Sequence, residues 1–581
     1  MVLPNTRGIG WREGLFCALL PVLIEVLSSV RVAEMRLPDS LIGPDSHMRL
    51  VRLRDILAAH RPLHVVARDA SGHGTVLHWS HLLDSVLLIL AAPLGWFMPE
   101  GAALHAAGLL LGAVSLAALG YASVWAVAPF VRTDWRWMAA VTTIMAPAVW
   151  AYGLIGIVHH HTFVVLVAVM SWGWAARLIA GWPGGIALGT WAAAGLWLTP
   201  EALPLSVLGF GAVFVAWVER GGTCAAAGIR ATGFSMLAVT VAVWLVDPPA
   251  GGHRAVELDR ISIVFVGVAA VFAGLGGAIV WIDRRVRTWP GRLGASAMVG
   301  VVLCAGWLLC FPAALDGSQT VMSDTERHAF FDFIVEMQPV DTMAAVAHYL
   351  FTGLLAAVFL VWMGVRSRSP VAAYASVAMV ALISAAATHL RFASYPEVAA
   401  ALLMPAALDA VRKHRMAVRL GIVVLVLVVP LLGSMVRFSA EARRTAHDPS
   451  CEIGDLIAIL APFGNAVVLA NVNDTPELLY RTQLRSVGSL YHRNSAAFMR
   501  LRAAWRSQPG TAWTDETPPP EVLATEATLL IACPSTKRSA LVQDLPPGTL
   551  DDWLNWGQVP RWLKELARDP ASGNIVYRIV R

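Results

Sequence analysis

Five polar clusters, each beside an apolar run, hold the side chains of this chain that could do chemistry. In Gly43-Pro44-Asp45-Ser46-His47-Met48-Arg49-Leu50-Val51-Arg52, helical spacing puts Asp45, Arg49 and Arg52 on one face. A carboxylate beside cations stays ionised, so Asp45 could bind a divalent metal or accept a proton from an attacking nucleophile. The plainer alternative is a helix N-terminal carboxylate paired with Arg49. In His78-Trp79-Ser80-His81-Leu82-Leu83-Asp84, Trp79 suits a membrane-interface anchor and the histidines could be merely solvated. Asp84 enters an apolar run, where a carboxylate is ordinarily paired or functional.

The third cluster, Gly156 to Thr162, contains His159, His160 and His161 at the end of an apolar run. On a helix, at most two adjacent histidines face one site, so His160 and His161 are candidate metal ligands; a polar membrane-edge cap is the alternative. The fourth, residues 314–342, carries Asp324, Glu326, Asp332 and Glu336, the composition of a mobile acidic lid or of a solvated loop. In the fifth, His389-Leu390-Arg391-Phe392-Ala393-Ser394-Tyr395, an arginine where two apolar runs meet could hold a phosphate through two hydrogen bonds, or snorkel to lipid headgroups.

The elements that must position these clusters are membrane helices. Of 581 residues, 57% are hydrophobic and 14% charged, with mean hydropathy +0.62, well below the roughly 25% charge of soluble domains. Apolar runs at 14–33, 104–130, 136–152, 162–180, 185–199, 203–218, 231–247, 261–282, 294–313, 343–365, 370–388, 395–411 and 418–436 predict about thirteen spans. The first reads as a retained span because no small-residue cleavage site follows it. Residues 82–98, short and holding Asp84, Pro93 and Pro99, read as an interfacial or re-entrant element within the first external loop, 34–101. With that assignment Arg7, Arg12, Arg132, Arg136, Arg220, Arg230, Arg284, Arg285, Arg366 and Arg412 share one side, which the positive-inside rule makes cytoplasmic. The same distribution leaves no single basic face for a nucleic acid.

An odd span count puts the N-terminus in the cytoplasm and residues 438–581 outside. That tail has β-like runs at 466–470, 528–532 and 575–579 among helical and proline-rich stretches, so a small extracytoplasmic α/β domain follows the membrane region, 1–437. Outside the cytoplasm, Cys451 and Cys533 could form a disulfide worth about 4 kcal/mol.

Taken in order, the clusters resemble the catalytic subunit of oligosaccharyltransferase and, more broadly, the GT-C glycosyltransferases. In that family an Asp of the first external loop binds metal and acceptor, the position Asp45 matches. An acidic motif follows the third span, where this chain has His159 to His161. A later loop supplies a Glu, similar to Glu336 in Glu336-Met337-Gln338-Pro339, and an Arg-Phe-x-x-Tyr segment holds the donor's lipid phosphate, as Arg391 and Tyr395 would. The chain also resembles uncharacterised bacterial membrane proteins with an Asp-His-His-Asn segment after the third span and a His-Trp-Ser segment in the first loop; here those end positions read His159 and Thr162. The segments around Glu201 and Asp259 are similar to theirs, with no role assigned. The acceptor-recognition Trp-Trp-Asp is not reproduced by Trp553-Leu554-Asn555-Trp556-Gly557.

The resemblance implies transfer of a sugar or glycan from a polyprenyl-linked donor to a glycan, lipid or protein acceptor outside the cytoplasmic (inner) membrane, with Mn²⁺ or Mg²⁺ as cofactor. Asp45 and Glu336 would be catalytic, Arg391 and Tyr395 would bind donor phosphate, and Asp45, His160 and His161 would bind metal. Arg49, His78, Asp84, His159, Glu201 and Asp259 are further site candidates. A polysaccharide polymerase or ligase, a lipid-linked-glycan transporter using Glu25, and a non-catalytic relative are the competing readings.

Overall fold

Apolar runs become helices because in hydrocarbon a backbone can satisfy its N–H and C=O groups only within itself. A computed structural model describes residues 9–33, 41–317, 321–331, 334–411, 416–445, 453, 456–508, 517–533, 547–570 and 573–581. In chain order its first helices are α1 (Trp11–Ala33), α2 (Pro44–Ala59), α3 (Leu82–Leu94), α4 (Glu100–Val127), α5 (Trp137–Ile144), α6 (Pro147–Gly153) and α7 (His161–Ile179). Then come α8 (Gly185–Leu198), α9 (Leu203–Arg220), α10 (Thr223–Val246), α11 (Ile263–Arg285), α12 (Trp289–Cys310) and the loop helix α13 (Asp324–Phe331). A short α14 (Met343–Ala345) passes through one π turn into α15 (Phe351–Ser367), followed by α16 (Pro370–Thr388), α17 (Ser394–Ala410) and α18 (Met416–Thr445).

Nine of the described helices are long and apolar enough to cross a membrane, and the chain is a multi-pass membrane protein. Each predicted run lies on helix, but among the described residues nine, rather than the thirteen expected, reach that length and hydropathy, and one run differs in kind. Residues 136–152 form two helices, α5 and α6, because Pro147 cannot donate into the preceding turn and holds Ala146 extended, at φ −71° and ψ 119°. The short element predicted at 82–98 is the 13-residue α3.

Close packing of α8 on α10 depends on Gly185 and Gly189. A Cβ at Gly189 would lie 2.1 Å from the Thr232 carbonyl oxygen, so only hydrogen fits there. Gly189→Leu is expected to part these helices and lower the yield of monodisperse protein severalfold, read by size-exclusion chromatography from membranes.

The tail is a five-stranded sheet flanked by helices. Its strands are β3 (Val467–Leu469), β4 (Arg485–Ser486), β5 (Leu529–Ala532), β6 (Leu563–Arg568) and β7 (Ile575–Ile579), ordered β4-β3-β5-β7-β6. β3 runs parallel to β4 and β5, and β7 antiparallel to β5 and β6. Three of these strands match the predicted runs. β6 escapes sequence reading because it is an edge strand of Lys, Glu and Arg with a bulge between Glu565 and Ala567. Cys533 is disulfide-bonded, while Cys17, Cys224, Cys304 and Cys310 are free; Cys451 lies outside the described residues.

The tail is fastened to the first loop, where β1 (Val65–Val66) pairs with β2 (Thr75–Val76). Arg68 donates to the carbonyls of Leu479, Thr482 and Leu484 at 2.6, 2.7 and 3.2 Å, and Arg54 to those of Tyr480 and Leu479 at 2.8 and 3.1 Å. Ser486 donates to Asp69 at 2.6 Å. Beneath these bonds Met48, Val51, Leu77 and Trp79 pack on Leu479 and Tyr491. Arg68→Ala strands the Thr482 and Leu484 carbonyls, Leu479 keeping Arg54, and is expected to weaken docking by about 1–3 kcal/mol, seen as faster protease cleavage between membrane region and tail.

Candidate functional site

Gly43 starts α2 at φ +83°, a left-handed conformation that favours glycine, and Pro44 fixes the first turn, which carries Asp45. Asp45 Oδ2 lies 3.0 Å from His159 Nε2, and its Oδ1 accepts from the Tyr491 hydroxyl at 3.0 Å. Burial would raise the Asp45 carboxyl, but the His159 contact, the Tyr491 hydrogen bond and the Arg49 charge outweigh it and hold it at about 2. The predicted shared face does not yield an Asp45–Arg49 ion pair. Arg49 and Arg52 turn to the buried Asp84 instead, at 3.1 and 2.6 Å, with Arg49 lying 4.2 Å over the Trp79 ring. Asp84 thus anchors α3 to α2.

The three histidines converge more fully than helical geometry allows. α7 begins only at His161, so His159 and His160 occupy the preceding turn and all three rings lie 4.4–4.8 Å apart. One ligand-capable atom from each falls within 4.8 Å of the others, and His159 Nδ1 is 2.5 Å from His161 Nδ1. His161 Nε2 is buried without a hydrogen-bond partner among the described residues. The histidine against Asp45 is His159, rather than His160 or His161. Asp45 stands outside that set, since it meets His159 at Nε2 whereas His161 meets the same ring at Nδ1. Three imidazoles fit a divalent ion with chemistry closer to zinc than to oxygen-seeking magnesium.

Tyr152 joins this half of the site to a second. Its ring stacks on His161 at 4.3 Å, and its hydroxyl donates to Glu336 Oε2 at 2.8 Å. Arg391 Nη1 lies 3.4 Å from Glu336 Oε1, and Arg391 Nη2 lies 2.7 Å from Glu201 Oε2. Tyr395 donates to Glu201 Oε1 at 2.7 Å. The acidic loop is pinned beside Arg391 by Val340 N–H to Ala387 O, 2.9 Å, and Leu390 N–H to Gln338 O, 3.0 Å. Asp324 pairs with Arg327 and Glu326 bonds Ser323 and Ser495, so neither joins the cluster; Asp332 lies outside the described residues.

Between the halves is a small cleft lined by Arg49, His78, Trp79, His160, Thr199 and Asp259. Burial, then His492, holds His78 well below the ordinary imidazole range, and burial, then His159, does the same for His160. Asp259 accepts from Arg493 and lies 2.7 Å from His492, whose ring is 4.4 Å from that of His78. The tail therefore completes the site through Tyr491, His492 and Arg493. Sequence reading missed these three and Tyr152; the polar run Tyr491-His492-Arg493-Asn494 was the available signal. Glu25 accepts from Ile155 N–H at 2.9 Å within the bundle.

Neither a family model nor a curated protein sequence matches the chain. Solved structures do share its fold. Oligosaccharyltransferase AglB from Archaeoglobus fulgidus, in complex with an inhibitory peptide and a dolichol-phosphate, superposes with a TM-score of 0.64 at 13% identity, covering 90% of this chain and 70% of that one. The Archaeoglobus fulgidus enzyme in complex with Zn and sulfate gives 0.60 at 13%, covering 89% and 68%. The form tethered to an acceptor peptide containing the NVT sequon gives 0.61 at 12%, covering 89% and 69%. The chain has the GT-C fold of these proteins.

Proposed function

We propose, from the fold shared with an archaeal oligosaccharyltransferase, that this chain moves a sugar or glycan from a polyprenyl phosphate or diphosphate to an acceptor at the outer face of the cytoplasmic membrane. The observation that carries the reading is Arg391, a guanidinium at the junction of α16 and α17 flanked by two carboxylates and two tyrosine hydroxyls. Its fork matches a phosphate whose lipid remains in the bilayer. Each carboxylate accepts from a tyrosine, Glu201 from Tyr395 and Glu336 from Tyr152, but Glu336 makes the longer contact to Arg391, 3.4 Å against 2.7 Å. The donor phosphate takes the place of Glu336, which is released toward the acceptor.

The acceptor's nucleophilic atom attacks the anomeric carbon, the bond from that carbon to the phosphate oxygen breaks, and the polyprenyl phosphate leaves with the electron pair. Arg391 neutralises the charge that develops there. Asp45, ionised at neutral pH, orients the acceptor and receives its proton late, because a carboxyl held at about 2 is a weak base. Tyr491 and His159 fix the Asp45 carboxylate. A divalent ion held by the His159–His161 imidazoles would supply Lewis-acid polarisation, with Asp45 bonded to the other nitrogen of His159.

The test is binding of polyprenyl phosphate and polyprenol to purified protein in nanodiscs. The phosphate is expected to bind at least about tenfold tighter, with the preference lost in Arg391→Ala. Equal binding of alcohol and phosphate by the unaltered protein would remove the basis of this reading.

A further inference from the structure

A second cavity, of about 370 Å³, lies between α5, α15, α17 and α18, apart from the polar site. Its wall follows α17 from Glu397 to Val411, about 21 Å at the helical rise. Val358, Trp362 and Leu425 on its rim are exposed, so it opens sideways to the surface that faces lipid. No arginine, lysine or histidine is among the described residues that line it. The one ionisable group among them is Glu397, 1% exposed, whose Oε2 accepts from Ala148 N–H at 2.9 Å. Glu397 Oε1 is buried with no hydrogen-bond partner among the described residues.

We propose that this groove binds a neutral lipid, a single hydrocarbon chain whose hydroxyl-bearing end hydrogen-bonds Glu397 Oε1. Three arguments select that occupant. The volume spread over such a length leaves a channel too narrow for a partner helix, which needs about 10–12 Å, but open to a hydrocarbon chain. A phosphate at Glu397 would be desolvated beside a carboxyl group with no cation among the described lining residues, so the end that reaches Glu397 is uncharged. A hydroxyl can donate to a carboxylate or accept from a carboxylic acid, so the match holds in either state of Glu397. The site is thus chemically opposite to Arg391, which selects an anion, and the inference stands whether or not the chain is a transferase.

The test uses the full chain in phosphatidylcholine nanodiscs, photolysed with a diazirine-tailed hexadecanol or its phosphate monoester, with adducts mapped by mass spectrometry. Alkanol adducts on Met404 and Leu425 are expected to exceed those of the alkyl phosphate by about fivefold or more. Ala401→Phe, which fills the groove, is expected to cut them by a similar factor. Equal labelling by the alkyl phosphate, adducts no denser than on the exposed face of α12, or labelling unchanged by Ala401→Phe would overturn the proposal. Should that variant not fold, competition by unlabelled hexadecanol decides: adducts that it fails to reduce reject the site.

Discussion

Arg391→Ala is expected to lower turnover of a polyprenyl-phosphate-linked sugar by about a hundredfold or more. Losing one partner of a buried, hydrogen-bonded charge pair costs about 2–5 kcal/mol, which corresponds to roughly thirty-fold to several-thousand-fold. About a hundredfold lies in the lower part of that range because the cluster is part-buried; the alanine variant also leaves Glu201 and Glu336 without their counter-charge, and both then repel the phosphate. Arg391→Lys separates charge from geometry. It keeps a cation but loses the fork, so it should recover only part of the activity. Equal turnover by the lysine and native proteins would mean that Arg391 acts as a point charge. The assay is release of polyprenyl phosphate by each variant at matched amounts of monodisperse protein.

Asp45→Asn is expected to reduce turnover by a comparable factor while changing donor affinity less than about twofold. The amide is nearly isosteric and can still bond Tyr491 and His159, so the fold should persist. What it lacks is the negative charge that orients the acceptor and takes its proton. A parallel loss of donor binding would place Asp45 in the phosphate site instead. Tyr491→Phe removes one hydrogen bond to the carboxylate, worth about 1.5–3 kcal/mol for a charged acceptor, and should give a smaller loss in the same assay.

Much of this architecture is legible in the sequence because the bilayer imposes a simple rule on it. Long apolar runs had to be helices, and only Pro147 broke one, at a position where proline chemistry makes a break reasonable. Arg391 and Tyr395 could be singled out where two apolar runs meet, and Asp45 and Glu336 by the resemblance of their loop segments. What sequence could not give was pairing across distance. Arg49 lies one helical turn from Asp45 yet bonds Asp84, because the Trp79 ring and the α3 terminus close around its guanidinium. Glu201 had no role until the fold set it against Arg391, 190 positions away. Tyr491, His492 and Arg493 belong to a soluble domain whose docking on the first loop depends on Arg68 and Arg54 reaching backbone carbonyls, contacts with no signature in residue type. The histidine run shows the converse. A local helix rule set His159 apart, whereas α7 begins two residues later and brings all three rings together.

The most direct test of the central claim is turnover of extracted polyprenyl-linked sugars by the purified protein in nanodiscs, with chelator and with added Zn²⁺, Mn²⁺ or Mg²⁺. Loss of donor that requires both Asp45 and Arg391 is the predicted result. Donor that remains intact under every metal condition, or that either Asp45→Asn or Arg391→Ala consumes as fast as the native protein, would contradict the account.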